Sequence, residues 1–414
     1  MNANSNIRPR IWTVTFVNLI FISLAATVVV DAVQAALPIY ISNLLHRDAE
    51  TLAGTLVTVF ALAGIIPFLA SGAISDRIGP RRVLLVGSAI FLIGCSGPIL
   101  FQGVGALFIW RVFQGVGFAI VNVASAAATS MILPRERLGE GLGYFGVGQA
   151  LAMALGPCLG LVIVEKASAT SMWITLAGLT AAILAASFWS RCDVSAQPSA
   201  LTEVRRETRS SMKGFFALFL EKRAAIPSIM ILILATGVCA TIVFVGKYGQ
   251  TLGFQAVGSF FVVMAASMLV SRFAMGTLMD KLSPTTILYP TLAFTALSFV
   301  MLAFVGNQYI FYLAGFPIGF GFGVATPLLA SVAVKRSPRN RIGAANSMYY
   351  LCVNLGFGTG AFLGGIAIAK LGYSNAFLCG LACCLLPGII AALFLRDSST
   401  PDLELKREAS LNNR

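Results

Sequence analysis

The sequence predicts an all-α integral membrane protein of twelve transmembrane helices in two pseudo-symmetric six-helix bundles. Three observations carry that prediction. The 414 residues are 57% hydrophobic and only 11% charged, whereas a soluble domain carries about a quarter charged residues. Apolar runs of about 20 residues, long enough to cross a hydrocarbon core as helices, recur along the whole length. A charged stretch, Gly72-Ala73-Ile74-Ser75-Asp76-Arg77-Ile78-Gly79-Pro80-Arg81-Arg82, returns in degraded form 204 positions later as Gly276-Thr277-Leu278-Met279-Asp280-Lys281-Leu282-Ser283-Pro284. A charged turn repeated at one fixed offset points to a duplicated chain. The period-two alternation of a membrane β-barrel is absent.

Taken in order, the spans fall near 12–42, 51–74, 83–101, 104–131, 140–164 and 171–190, then 224–248, 256–278, 286–305, 309–334, 342–369 and 373–395. The chain divides into a first bundle (1–190), a polar basic linker (191–223), a second bundle (224–395) and a polar tail (396–414). The linker is expected to lie at the membrane surface. An even number of spans puts both termini on one side. Arg77, Arg81, Arg82, Arg135, Arg137, Lys335, Arg336, Arg339 and Arg341 all fall on the side of the N-terminus. The positive-inside rule therefore makes both termini cytoplasmic. It also accounts for the net charge of +13, which in a soluble protein would suggest nucleic acid. The eight cysteines are scattered and form no CxxC pair, so neither a disulfide framework nor a zinc site is indicated.

The duplication extends further. Gly115, Gly117 and Phe118 match Gly319, Gly321 and Phe322; Pro134, Arg135, Arg137 and Gly139 match Pro338, Arg339, Arg341 and Gly343; Gly156 matches Gly360. Matched residues lie on the same side of the membrane, so the halves are parallel repeats. That architecture suits alternating access around a midplane site.

Three stretches stand out chemically. The opening one joins spans 2 and 3 through Gly72, Asp76, Arg77, Gly79, Arg81 and Arg82. Span 4 holds Leu107, Arg111, Gln114, Gly115 and Gly117. Span 5 holds Gly143, Gly148, Gly156, Pro157 and Gly160. With these stretches the chain resembles the major facilitator superfamily, and within it the twelve-span drug:proton antiporters, over residues 12–395. The resemblance implies that the first stretch, with Asp280 as its surviving counterpart, is a latch closing the cytoplasmic face. The plainer alternative is a topology anchor and tight turn. It implies a proton-transfer role for Arg111; the alternative is an arginine snorkelling from the outer end of its helix. It implies that span 5 is the antiporter motif, although Ala152 and Leu161 replace two of that motif's glycines. Its small residues are expected to pack against the other half, with Pro157 kinking the helix.

Asp31 is the acidic residue set deep in an apolar run, with Gln34 on the same helical face three residues on. Intramembrane carboxylates usually bind a substrate or carry a coupling ion. Asp31 is expected to sit in a wet cavity near Arg111 and to carry protons; a structural pairing with Arg111 is the alternative. Lys247 is expected at the interface. The inner helices offer Asn122, Tyr144, Gln149, Phe244, Asn346, Tyr349, Tyr350 and Asn354 as a mixed aromatic and polar wall. Such a wall suits an apolar or weakly cationic organic solute.

The chain has no phosphate-binding Gly-x-x-x-x-Gly-Lys-Ser/Thr sequence and no evident catalytic triad or metal cluster. The expectation is a non-enzymatic, proton-coupled exporter of small organic solutes or drugs. It would be a monomer in the plasma (inner) membrane, with no cofactor beyond the coupling proton and no nucleic-acid partner. The alternatives are an uptake carrier, an exporter dedicated to one metabolite such as a siderophore, and a transport-dead membrane sensor.

Overall fold

The computed structural model describes residues 11–45, 50–101, 103–133, 137–190, 221–275, 282–338 and 342–395. Asp280, the tail and all but the end of the linker lie outside these residues, as do the side chains of Gly72, Asp76, Arg77 and Gly143.

The first half is six helices: α1 (Val14–Leu45), α2 (Glu50–Ile78), α3 (Pro80–Leu100), α4 (Val104–Ile132), α5 (Leu138–Lys166) and α6 (Ala169–Trp189). The second half is α7 (Ala225–Thr251), α8 (Ser259–Met275), α9 (Pro284–Ala303), α10 (Gln308–Leu313), α11 (Gly315–Arg336), α12 (Ile342–Gly380) and α13 (Ala382–Phe394). Among the described residues there is no strand.

Asn307 caps the start of the tenth span through the backbone N–H groups of Tyr309 and Ile310, and α10 passes into α11 through Ala314 with helical dihedrals (φ −60°, ψ −21°), so that Gln308–Arg336 is one apolar run. The last two spans form one apolar run, Met348–Phe394, of 47 residues. Gly372 breaks that run with φ 78° and ψ 169°, a backbone that a side chain with a Cβ rarely adopts. Among the described residues ten helical segments are long and apolar enough to cross a membrane, and Ser259–Ser271 is a shorter apolar one. With the 47-residue run counted as two crossings, these map onto the twelve expected spans.

The charged turn has a simple local cause. Gly79, at φ 88°, is the single residue between α2 and α3, and Pro80 starts α3 where its missing N–H costs nothing.

The halves repeat one packing scheme. In the first, α1 packs on α5, α2 and α3 on α4, and α3 on α6; in the second, α7 packs on α12, α8 and α9 on α11, and α9 on α13. Small residues set these contacts. A Cβ on Gly115 would collide with the Phe60 carbonyl, and one on Gly319 with the Met264 carbonyl, which is the same contact 204 positions on. Gly117 meets Phe91 and Gly321 meets Thr295 at the same offset.

The halves meet along α2 with α12, α5 with α8, and α1 with α7. Gly54 abuts the Ala361 carbonyl, and the Thr58 hydroxyl donates to the Gly358 carbonyl at 2.8 Å. On the other flank the Cys158 thiol donates to the Gly258 carbonyl at 3.1 Å. These contacts lie toward the end of the bundle that carries Glu50, Lys166 and Lys247, hereafter the Glu50 end.

Candidate functional site

Asp31 stands on α1, 8% exposed, between α5 and α7. Its close approach to α5 is set by Gly156, where an added Cβ would come within 2.7 Å of the Asp31 Cβ. On the α7 side it lies near Cys239. Its Oδ2 has no hydrogen-bond partner, and neither does Oε1 of Gln34, which is 4% exposed. Two buried acceptors on one face of α1 are thus left without donors, and unpaired polar groups in such surroundings are costly.

The span-5 motif corrects an expectation. Gly156 and Gly160 pack against Val28, Asp31 and Ala32 of α1 in their own half, not against the other half. Gly148 likewise faces Ile20 of α1. The contact with the other half comes from α5's opposite face, where Leu161 fills the space over Gly246 and Cys158 reaches Gly258. α5 continues through Pro157 as one helix.

Arg111 is 1% exposed, so it does not snorkel. It is also not paired with Asp31. Its Nε donates to the Leu56 carbonyl at 3.2 Å and its Nη1 to Gln114 Oε1 at 2.9 Å, with the guanidinium 4.9 Å from the Phe60 ring centroid. Gln114 Nε2 in turn donates to the Gly94 carbonyl at 2.9 Å. This cluster binds α4 to α2 and α3. The ring of Phe60 joins Phe68, Phe118, Leu351 and Asn354 in lining a small open cleft between α2, α4 and α12. That cleft therefore spans the two halves.

The remaining predicted residues are dispersed. Asn354 lines the cleft and donates to the Tyr350 carbonyl at 2.8 Å. Gln149 reaches Ser23 at 3.4 Å, and Asn122 and Asn346 are half-buried. Tyr144 is exposed, 4.9 Å from Trp12 between ring centroids, and Tyr350 is exposed as well. Phe244 and Tyr349 are fully enclosed in the core and reach no open wall; the Tyr349 hydroxyl is held by the Thr326 carbonyl at 2.6 Å. Arg81 donates to the Phe188 carbonyl at 2.8 Å and lies over its ring, tying α3 to the end of α6 in the same half, and Arg82 is exposed.

Sequence reasoning missed one cluster. Lys247 is not interfacial. Its Nζ lies 2.6 Å from Glu50 Oε1 across the two halves, with side chains 8% and 6% exposed. The Tyr373 hydroxyl donates to the same oxygen at 3.1 Å. The available signal was an acid at the start of one span and a lysine near the end of another, and nothing in the sequence says that they meet.

Comparison with known proteins agrees with this architecture. The family model described as Major Facilitator Superfamily matches residues 12–356 and 292–412. An uncharacterised MFS-type transporter of Mycobacterium tuberculosis is 32% identical over 109 residues, which is 26% of this chain and 19% of that protein. The chain thus spans about a fifth of that relative's length. The staphylopine export protein of Staphylococcus aureus is 25% identical over 80% of this chain and 84% of its own. A multi-drug resistance efflux pump PmrA homolog of Lactococcus lactis is 25% identical over 84% of this chain and 86% of its own. The crystal structure of the nucleoside transporter NupG superposes with a TM-score of 0.71 at 15% identity, covering 92% of this chain and all of that one, a likeness of fold. Matched over most of its length and built as two parallel helical repeats, the chain belongs to the Major Facilitator Superfamily.

Proposed function

We propose that the protein is a secondary active transporter that exports small organic solutes in exchange for protons by alternating access. The observation that carries this reading is Asp31: a buried carboxylate with an unpartnered oxygen, held between α5 of its own half and α7 of the other. A carboxylate so placed can take up or release a proton without first breaking an ion pair. It also touches helices whose relative position changes when the halves rock.

In this reading both termini are cytoplasmic and the Glu50 end faces outward. The described contacts between the halves lie toward that end, which supports reading it as the closed one. Substrate enters from the cytoplasm and rests against the aromatic cleft of Phe60, Phe68 and Phe118, whose walls suit an apolar solute. A proton taken up by Asp31 from outside and a bound substrate oppose one another. Arg111 acts through position, holding Phe60 and α2 in place. The Gly72–Arg82 stretch and Asp280 serve the cytoplasmic closure, Arg81 through α6. Export rather than uptake is supported by the relatives named for staphylopine export and multi-drug efflux. The first of these also supports the second reading, an exporter dedicated to one metabolite.

The test is reconstitution in liposomes with an imposed pH gradient, using a panel of compounds drawn from toxicity screens in a sensitised host. Wild type is expected to move substrate against its gradient when protons run the other way, and Asp31→Asn to lose that coupling. Gradient-driven transport by Asp31→Asn at the wild-type rate would remove the assignment. Transport of a single metabolite and none of the drugs would select the second reading.

A further inference from the structure

We infer that Glu50, Lys247 and Tyr373 form the lock that holds the two halves together at the Glu50 end. Glu50 opens α2 in the first half; Lys247 lies near the end of α7 and Tyr373 directly follows the Gly372 break in α12, both in the second half. One carboxylate oxygen receives both donors, at 2.6 Å and 3.1 Å. The site is enclosed from two sides. The Tyr373 ring stacks on Tyr248 at 4.9 Å, and Gly365 allows α12 to pass so close that a Cβ there would stand 2.6 Å from the Glu50 carbonyl.

The physical consequence follows from burial. A charged pair shielded from water holds together only while both partners are present. With the Glu50 charge removed, Lys247 loses the carboxylate that holds it across the halves, and the state that lets water reach it is favoured. Every rocking motion that opens this end must part Glu50 from Lys247 and Tyr373 together, because donor and acceptor belong to different halves. The lock is not part of the duplicated scaffold: the position equivalent to Glu50, 204 residues on, is Phe254. It is therefore an addition to one end of a symmetric frame, stabilising one of the two conformations that alternating access needs.

The experiment is chemical labelling of the full-length protein in lipid nanodiscs, read by mass spectrometry and requiring no substrate. A water-soluble amine-reactive ester reports on Lys247, with the exposed Lys166 and Lys370 as internal controls. A thiol reagent reports on Cys158, which bridges the halves on the opposite flank. In wild type Lys247 should be protected. In Glu50→Gln its labelling should rise about tenfold, with Cys158 rising alongside and the two control lysines unchanged. Tyr373→Phe, which deletes a single hydroxyl, should move both in the same direction by less. Unchanged Lys247 labelling in Glu50→Gln overturns the lock. A rise at Lys247 without one at Cys158 also overturns it, since that is local loosening and not separation of the halves. If Glu50→Gln does not fold, Tyr373→Phe decides: wild-type labelling at both sites overturns the proposal.

Discussion

The two halves keep the same packing and differ in their chemistry. At the offset of 204 the glycines of α4 recur in α11 with the same neighbours, Phe60 and Phe91 in one half, Met264 and Thr295 in the other. Three buried polar residues within the spans do not recur. Asp31 corresponds to Ala235, Arg111 to Gly315 and Gln114 to Ile318. One position shows how the exchange works. Arg111 reaches the Leu56 carbonyl through a hydrogen bond, whereas Gly315 lies directly against the equivalent carbonyl of Phe260. Duplication thus preserved helix spacing, and divergence put polar groups at contacts which in the other half are closed by small or apolar residues. Register differs too. Gly160 meets Ala32 and Gly360 meets Thr236, one helical turn apart in the aligned numbering, so α12 sits one turn along α7 relative to α5 on α1.

The largest effect expected tests the shared part. Gly115→Val and Gly319→Val each drive a side chain into a backbone carbonyl of the neighbouring helix, and backbone cannot step aside as a flexible side chain can. Each should lower unfolding free energy by about 3 kcal/mol. The values should agree within about 1 kcal/mol, because the collisions are the same. Denaturant or thermal unfolding in mild detergent measures both. If one variant is tolerated and the other is not, the halves do not share a packing scheme.

The shared part was also the legible part. Long apolar runs fix where helices cross, and glycines at a constant offset mark where they touch. The break at Gly372 falls between the last two expected spans, 342–369 and 373–395, although hydropathy continues across it. The spacing of Gly156 and Gly160 announced a close approach without naming the partner, and the partner is α1 of the same half. The acceptor of Arg111 at Leu56 is backbone and leaves no trace in the sequence. Glu50 reads as an ordinary first-turn acid on a helix, and its lysine lies 197 residues away.

Arg111→Leu separates packing from charge in the diverged part. It deletes the bonds to Leu56 and Gln114 and the contact with Phe60, leaving the Gln114 carbonyl oxygen without its donor. A loss of about 2 kcal/mol is expected. Gln114→Ile, which installs the second half's residue, should restore part of it when combined with Arg111→Leu, because both ends of the bond are then apolar. Strict additivity in that double-mutant cycle would show that the two residues do not act as a unit.

The smallest effect on stability should fall at Asp31, as expected of a working group. Its Oδ2 makes no hydrogen bond, so Asp31→Asn, which keeps the shape of the side chain, removes no Oδ2 hydrogen bond from the resting fold. Unfolding free energy should stay within about 1 kcal/mol of wild type or rise, while proton-driven transport is lost. A residue whose replacement abolishes transport without weakening the fold is doing something other than holding helices together. Should Asp31→Asn instead unfold as readily as Arg111→Leu, Asp31 is a packing element like its counterparts in the second half, and the chemical difference between the halves narrows to the cluster around Arg111.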